Sequence, residues 1–315
     1  MTKPAFTFPG QGSQAVGMGH DLAQGYPEAR AVFEEVDDAL GVALSKIMFE
    51  GPEDTLRLTE NAQPALMAAS IAVVRVLEAN GITVADTASF VAGHSLGEYS
   101  ALCAAGTFSL SDTARLLQTR GRAMQQAVPV GQGAMAAILG LDMDAVREVA
   151  ASAAEGSVCD VANDNSPGQV VISGDASAIE RAMELAKARG AKRALSLPVS
   201  APFHCALMEP AAEAMEAALA MVDMKAPAVP LVANVLATPI TDPAEIRRHL
   251  VEQVTGMVRW TESVTWLTIE GGVTELYELG TGKVLTGLAK RINKDVAAQA
   301  IGTQADIEAF LAARN

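Results

Sequence analysis

The chain has 315 residues, half of them hydrophobic and only 4% aromatic, with a formal net charge of −14. Such a length buries a substantial core in one large domain, or one with a smaller insert, and the composition excludes a disulfide scaffold or a disordered chain. The acidity argues against nucleic acid as a general partner.

In chain order, the apolar spacing predicts a strand over 4–8 and then a loop rich in Gly and Gln over 9–14. Helices are predicted over 28–40, 53–58 and 62–80, followed by a strand over 88–92. Two more helices follow over 96–105 and 111–127, the second opened by Ser111 and Asp112. The texture changes over 128–133, where Pro129, Gly131 and Gly133 cluster. Beyond it come a strand (134–140), a helix (142–155), two strands (157–163 and 169–173), a helix (175–189) and a strand (191–197). That β-α-β-β-α-β order is the ferredoxin-like pattern. Helix 207–221, strand 229–233, helices 243–254 and 260–271, strand 273–279 and helix 283–291 complete the series. The expected fold is therefore α/β, with a mainly parallel central sheet and an inserted small α+β domain. The boundaries fall at 1–127 plus 198–315 for the large unit and 128–197 for the insert.

Cys103, Cys159 and Cys205 are odd in number and widely spaced, without metal-ligand spacing, so a reducing cytoplasm and no metal site are expected. The start of the chain lacks the long apolar core of a signal peptide, and no later segment reads as apolar enough to span a bilayer.

The most informative stretch joins the apolar run Phe90-Val91-Ala92 to Gly93-His94-Ser95-Leu96-Gly97. Gly-x-Ser-x-Gly between a strand and a helix is the form of a nucleophile elbow, which would expose the Ser95 hydroxyl on a tight turn. The helix behind it would aim its N-terminal amides at a developing oxyanion. A serine nucleophile needs a base, and the chain has only His20, His94, His204 and His249. His94 sits inside the elbow and reads as a wall of the site, while His20 and His249 read as surface helix positions. His204, in an irregular segment after Pro198 and Pro202, is left as the base. Lys187, Arg189, Lys192 and Arg193 form one basic cluster and Lys290, Arg291 and Lys294 another; by themselves both read as solvated faces.

Seven segments in order resemble malonyl-CoA:acyl-carrier-protein transacylases. They are Phe8-Pro9-Gly10-Gln11-Gly12-Ser13-Gln14, Gly93-His94-Ser95-Leu96-Gly97-Glu98-Tyr99 and Gln118-Thr119-Arg120-Gly121-Arg122. Ala162-Asn163 with Ser166 to Gly174, Pro202-Phe203-His204, Gln253 with Val258-Arg259-Trp260, and Glu278-Leu279-Gly280-Thr281-Gly282-Lys283 complete the set. The resemblance implies a large hydrolase-like domain carrying a ferredoxin-like insert, with the active site between them. It implies Ser95 as nucleophile, His204 as base, Gln253 orienting His204 through its backbone carbonyl, and the amides of Gln11 and Leu96 as oxyanion hole. Arg120 would bind the free carboxylate of a malonyl group, and Leu96 and Phe203 would disfavour an α-methyl branch. Without the resemblance, Arg120 reads as a surface arginine.

The implied partners are malonyl-CoA and a phosphopantetheinylated acyl carrier protein, with no metal or redox cofactor required; the sequence does not give the oligomeric state, and a monomer is the expectation. An acidic carrier would need a basic docking surface, for which the Lys187–Arg193 cluster is the candidate. Two positions depart from the family pattern, Met257 before Val-Arg-Trp and Thr281 between two glycines, and the first bears on the segment that carries Gln253. The competing reading is a serine hydrolase or thioesterase on the same elbow, with Asp160 or Asp164 as the triad acid. A non-catalytic carrier-binding module would have no use for Ser95, His204 and Arg120.

Overall fold

The computed structural model describes residues 3–314. Its strands are β1 (Pro4–Phe8), β2 (Phe90–Gly93), β3 (Gly133–Leu139), β4 (Cys159–Ser166) and β5 (Gln169–Asp175). There follow β6 (Arg193–Ser196), β7 (Leu231–Val232), β8 (Pro239–Ile240), β9 (Glu275–Leu279) and β10 (Ala297–Ile301). Six of them form one sheet in the order β10-β9-β1-β2-β7-β8. All its pairings are parallel except β7 with β8.

Strand β1 lies near the middle and is buried along its whole length. Its period-2 alternation sends Phe6 and Phe8 into one core and Ala5 into another on the opposite face, so helices cover both sides. Val91 and Ala92 of β2, and Leu231 and Val232 of β7, divide between the same two cores. In register, Phe6 faces Val91 and Val91 faces Leu231, which lines up the carboxyl ends of these strands on one edge.

The second sheet is antiparallel throughout, in the order β4-β5-β3-β6. This is the strand order that the ferredoxin-like pattern requires. Ala136 and Ile138 of β3 face a small core shared with Val146, Val149 and Ile179 from helices Met143–Ala154 and Ala176–Ala188. Met135 points the other way, into the large core, so the small sheet is packed against the rest of the chain.

Several expectations need correction. Helix Thr59–Ala79 is long and apolar enough, by length and composition, to cross a membrane, and 83% of its most apolar window is buried within the protein. It packs against helices Pro27–Leu40 and Leu110–Ala127, which cover most of its surface and leave Arg75 exposed to pair with Glu78. The cap of Leu110–Ala127 is Ser109, whose hydroxyl accepts from Asp112 N, whereas Ser111 donates to Glu35. The strand predicted over 229–233 contracts to β7, and helices His20–Gly25, Leu44–Glu50 and Gln304–Ala312 and strand β10 were not predicted. Four of the five β10 residues are Ala or Gln, which carry little strand signal.

Candidate active site

Strand β2 ends at Gly93 and helix Gly97–Ala104 begins four residues later, leaving Ser95 on the turn at φ 54. A left-handed serine costs on the order of 1 kcal/mol and persists only where its neighbours fix it. A Cβ on Gly93 would lie 1.9 Å from the Gly97 backbone, and one on Gly97 would lie 2.2 Å from Phe8 O. Both contacts are with backbone, so neither position accepts a side chain. The turn is clamped by Asn234, two residues beyond the end of β7: its Oδ1 accepts from Ser95 N at 2.8 Å and its Nδ2 donates to Gly93 O at 2.6 Å.

His204 also adopts a left-handed conformation, at φ 59. Its Nδ1 lies 2.9 Å from Gln253 O and 3.1 Å from Gly256 O. Carbonyl oxygens only accept, so Nδ1 carries the proton and Nε2 is left to accept from the Ser95 hydroxyl, 2.8 Å away. Burial and the nearby Arg120 charge push the imidazole down to about 3, which keeps it neutral. The Met257 departure leaves Gln253 within reach of His204, because Val258 N is tied to Ala162 O at 2.9 Å and anchors the segment.

Arg120 is 1% exposed and reaches the site from helix Leu110–Ala127, so it is no surface arginine. Its Nη1 donates to Gln63 Oε1 at 2.9 Å, and its Nη2 donates to Gln253 Oε1 at 2.7 Å and to Ser95 Oγ at 3.1 Å. These partners are all neutral, and among the described residues no carboxylate is hydrogen-bonded to the guanidinium. A buried cation without a bonded anion beside a serine hydroxyl is a place where an anionic group is stabilised.

The three side chains open into a cleft of about 600 Å³ between the two sheets. Gln11, Leu96, His94 and Phe203 line it from the large sheet side, and Met135 and Asn163 from the small one. The Gln11 loop is pressed onto the elbow, since a Cβ on Gly10 would lie 2.7 Å from His94 O. His94 Nε2 is held 2.8 Å from Asn165 Oδ1, which fixes the ring as a wall.

The acyl transferase domain family matches residues 5–286. The malonyl CoA-acyl carrier protein transacylase of Bacillus subtilis (strain 168) is 48% identical over 309 residues, 98% of this chain and 96% of that one. Its counterpart in Escherichia coli (strain K12) is 49% identical over 311 residues, 99% of both chains. The chain belongs to the malonyl CoA-acyl carrier protein transacylase family. Among solved structures, the acyl-carrier-protein-S-malonyltransferase of Bartonella henselae superposes with a TM-score of 0.97 at 60% identity, covering 99% of both chains. A malonyl-transacylase solved in complex with a holo type II PKS acyl-carrier protein gives a TM-score of 0.95 at 45% identity, covering 99% of this chain and 100% of that one.

Within this transacylase fold, several residues singled out from sequence do not meet at the cleft. Asp160 accepts from Ala206 N at 2.9 Å and Asp164 from the Thr261 hydroxyl at 2.8 Å, so both acids proposed for a triad are committed elsewhere. His204 uses backbone carbonyls in their place. His249 is 6% exposed rather than on the surface, its ring nitrogens lying 2.8 Å from Glu252 Oε2 and 3.0 Å from Arg248 Nη2. In the basic cluster, Lys187 pairs with Glu184 and Arg189 with Glu148, while Lys192 and Arg193 are exposed.

Sequence reasoning missed Asn234 and Gln63. Asn234 at a strand end reads as an ordinary turn residue, and Gln63 as one polar interruption in an apolar helix.

Proposed function

We infer that this protein moves a malonyl group from malonyl-CoA to the phosphopantetheine thiol of an acyl carrier protein, through an ester on Ser95. The single observation that carries this reading is the placing of His204 Nε2 at 2.8 Å and Arg120 Nη2 at 3.1 Å from one serine oxygen. In the first half-reaction Ser95 Oγ attacks the thioester carbonyl while His204 Nε2 takes its proton. The tetrahedral oxyanion lies against the backbone amides of Leu96 and Gln11, each worth roughly 3–4 kcal/mol by analogy with other acyl-transfer sites. Collapse breaks the C–S bond, and His204 returns the proton to the CoA sulfur. In the second half the carrier thiol gives its proton to His204 and attacks the ester, and Ser95 leaves with that proton. The elbow and base thus serve both directions.

Arg120 selects the acyl group. Its planar fork accommodates a carboxylate bidentately, so malonyl is favoured over acetyl. Leu96 and Phe203 crowd the α-carbon, a discrimination worth about 1–3 kcal/mol per methyl. The cleft is bounded by a large unit, 1–127 with 198–315, and a small unit, 128–197. The carrier meets the exposed Lys192 and Arg193 on the small unit, because Lys187 and Arg189 are neutralised by their own glutamates. The same reading takes the protein as a monomer of the cytoplasm: its three cysteines are free and buried, and its net charge of −14 disfavours nucleic acid.

The test is incubation with malonyl-CoA and a phosphopantetheinylated carrier, followed by separation of malonyl-carrier from free malonate. Malonyl-carrier formation that survives in Asp160→Asn and Asp164→Asn supports transfer. Steady release of free malonate without malonyl-carrier would favour a hydrolase.

A further inference from the structure

One ionisable group at the site has no part in the chemistry above. Glu98 lies in the first turn of the helix behind Ser95 and is 1% exposed. One carboxylate oxygen accepts from Gln253 Nε2, and the other from Asn234 N at 3.3 Å. The same Gln253 amide donates to Ser95 O at 3.0 Å and offers Oε1 to Arg120 Nη2 at 2.7 Å. An amide has a donor end and an acceptor end, and either fits the same space. A carboxylate, like the Ser95 carbonyl, only accepts, so the two together select the NH₂ end of Gln253 and leave the oxygen for the arginine, the carboxylate adding its charge to that preference. Holding an ionised carboxyl in this dry interior is costly, and packing alone gives no reason for it.

We infer that Glu98 is a positioning residue for acyl-group selection: its carboxylate sets the Gln253 amide and, through it, the Arg120 guanidinium that receives the substrate carboxylate. This inference rests on the malonyl-transfer reading. The arrangement keeps the counter-charge one amide away from the cation, so the guanidinium is aligned without being capped. Burial lifts the Glu98 carboxyl to about 7, against the pull of Gln253, Asn234 N and Arg120. The charged and titratable groups facing it are Arg120 from helix Leu110–Ala127 and Tyr99 from its own helix. Gln253 and Asn234, from the other segments packed on it, are neutral. Protonation removes the charge that strengthens the hold on Gln253 Nε2, so the relay weakens as pH falls through about 7, while His204 stays neutral throughout.

The experiment compares the rates of Ser95 acylation by malonyl-CoA and acetyl-CoA, in wild type and Glu98→Gln, between about pH 5.5 and 8.5. The variant loses about 10- to 100-fold with malonyl-CoA and within about 3-fold with acetyl-CoA, the range for one charge-assisted contact. The wild-type preference for malonyl over acetyl falls as pH drops below 7, and that of the variant does not change with pH. Equal losses on both substrates, or no loss, overturn the inference. If Glu98→Gln fails to fold by circular dichroism, the wild type decides: a malonyl-to-acetyl ratio that is flat with pH overturns it. A wild type that takes up acetyl but never malonyl overturns the transfer reading itself, and this inference with it.

Discussion

Replacing Asn234 with Ala probes how the elbow is held. The side chain is 1% exposed and makes two contacts with backbone, to Ser95 N at 2.8 Å and Gly93 O at 2.6 Å. Truncation leaves one donor and one acceptor unpaired in a buried site, at about 1–3 kcal/mol each, or roughly 2–6 kcal/mol together. For a chain of this size about 1 kcal/mol moves the melting temperature by roughly 1.5 °C, so a fall of about 3–9 °C follows. The left-handed Ser95 has no other side chain on its N–H, and the turn relaxes. A shift of about 1 Å in the hydroxyl, away from His204, lowers the acylation rate by about 100-fold. Differential scanning calorimetry and the rate of Ser95 acylation by malonyl-CoA read the two effects separately. A variant with unchanged melting temperature and unchanged rate would refute the clamp.

Arg120→Lys keeps a charge but replaces two nitrogens with one, so the Nη1 bond to Gln63 and the Nη2 bonds to Gln253 and Ser95 are no longer held together. Acylation by malonyl-CoA falls by about 100-fold and acylation by acetyl-CoA changes little, measured by stopped reactions on both thioesters. Asp160→Asn and Asp164→Asn retain most activity, because neither carboxylate touches His204; a loss of several orders of magnitude in steady-state transfer would restore the triad. The His204 imidazole ordinarily titrates at 6.5 but is held near 3 in the fold. Unfolding therefore takes up a proton below 6.5, and stability falls as pH drops from there towards 3. At pH 5 this amounts to about 2 kcal/mol, which His204→Asn removes from the pH dependence of the urea midpoint.

The elbow was legible in the sequence because its requirements are local. Two glycines four residues apart, a strand before and a helix after are all written within fifteen residues. The order of the small sheet was legible for a related reason, since alternating strand and helix patterns restrict the topology. His204 was reached by eliminating the other histidines, and the resemblance added Arg120 and Gln253. Nothing local marks residues whose contacts span 133 positions, as Arg120 and Gln253 do.

Asn234 and Glu98 escaped for that reason: one is a turn residue and the other an acidic first-turn residue until the fold brings them to Ser95 and Gln253. His249 was misplaced because Arg248 and Glu252 give its helix a charged face in sequence, yet those same side chains cover its ring nitrogens. The apolar helix Thr59–Ala79 shows the converse, since its composition fits a bilayer and its neighbours provide a protein interior.

In the proposed transfer Ser95 carries the malonyl group as an ester between two thiols. Intact mass of the protein after brief incubation with malonyl-CoA tests it most directly, with Ser95→Ala in parallel. The wild type is expected to carry one malonyl adduct and the variant none, and the adduct is removed when a phosphopantetheinylated carrier is added. An adduct of equal amount on Ser95→Ala, or transfer to the carrier that proceeds without Ser95, would contradict it.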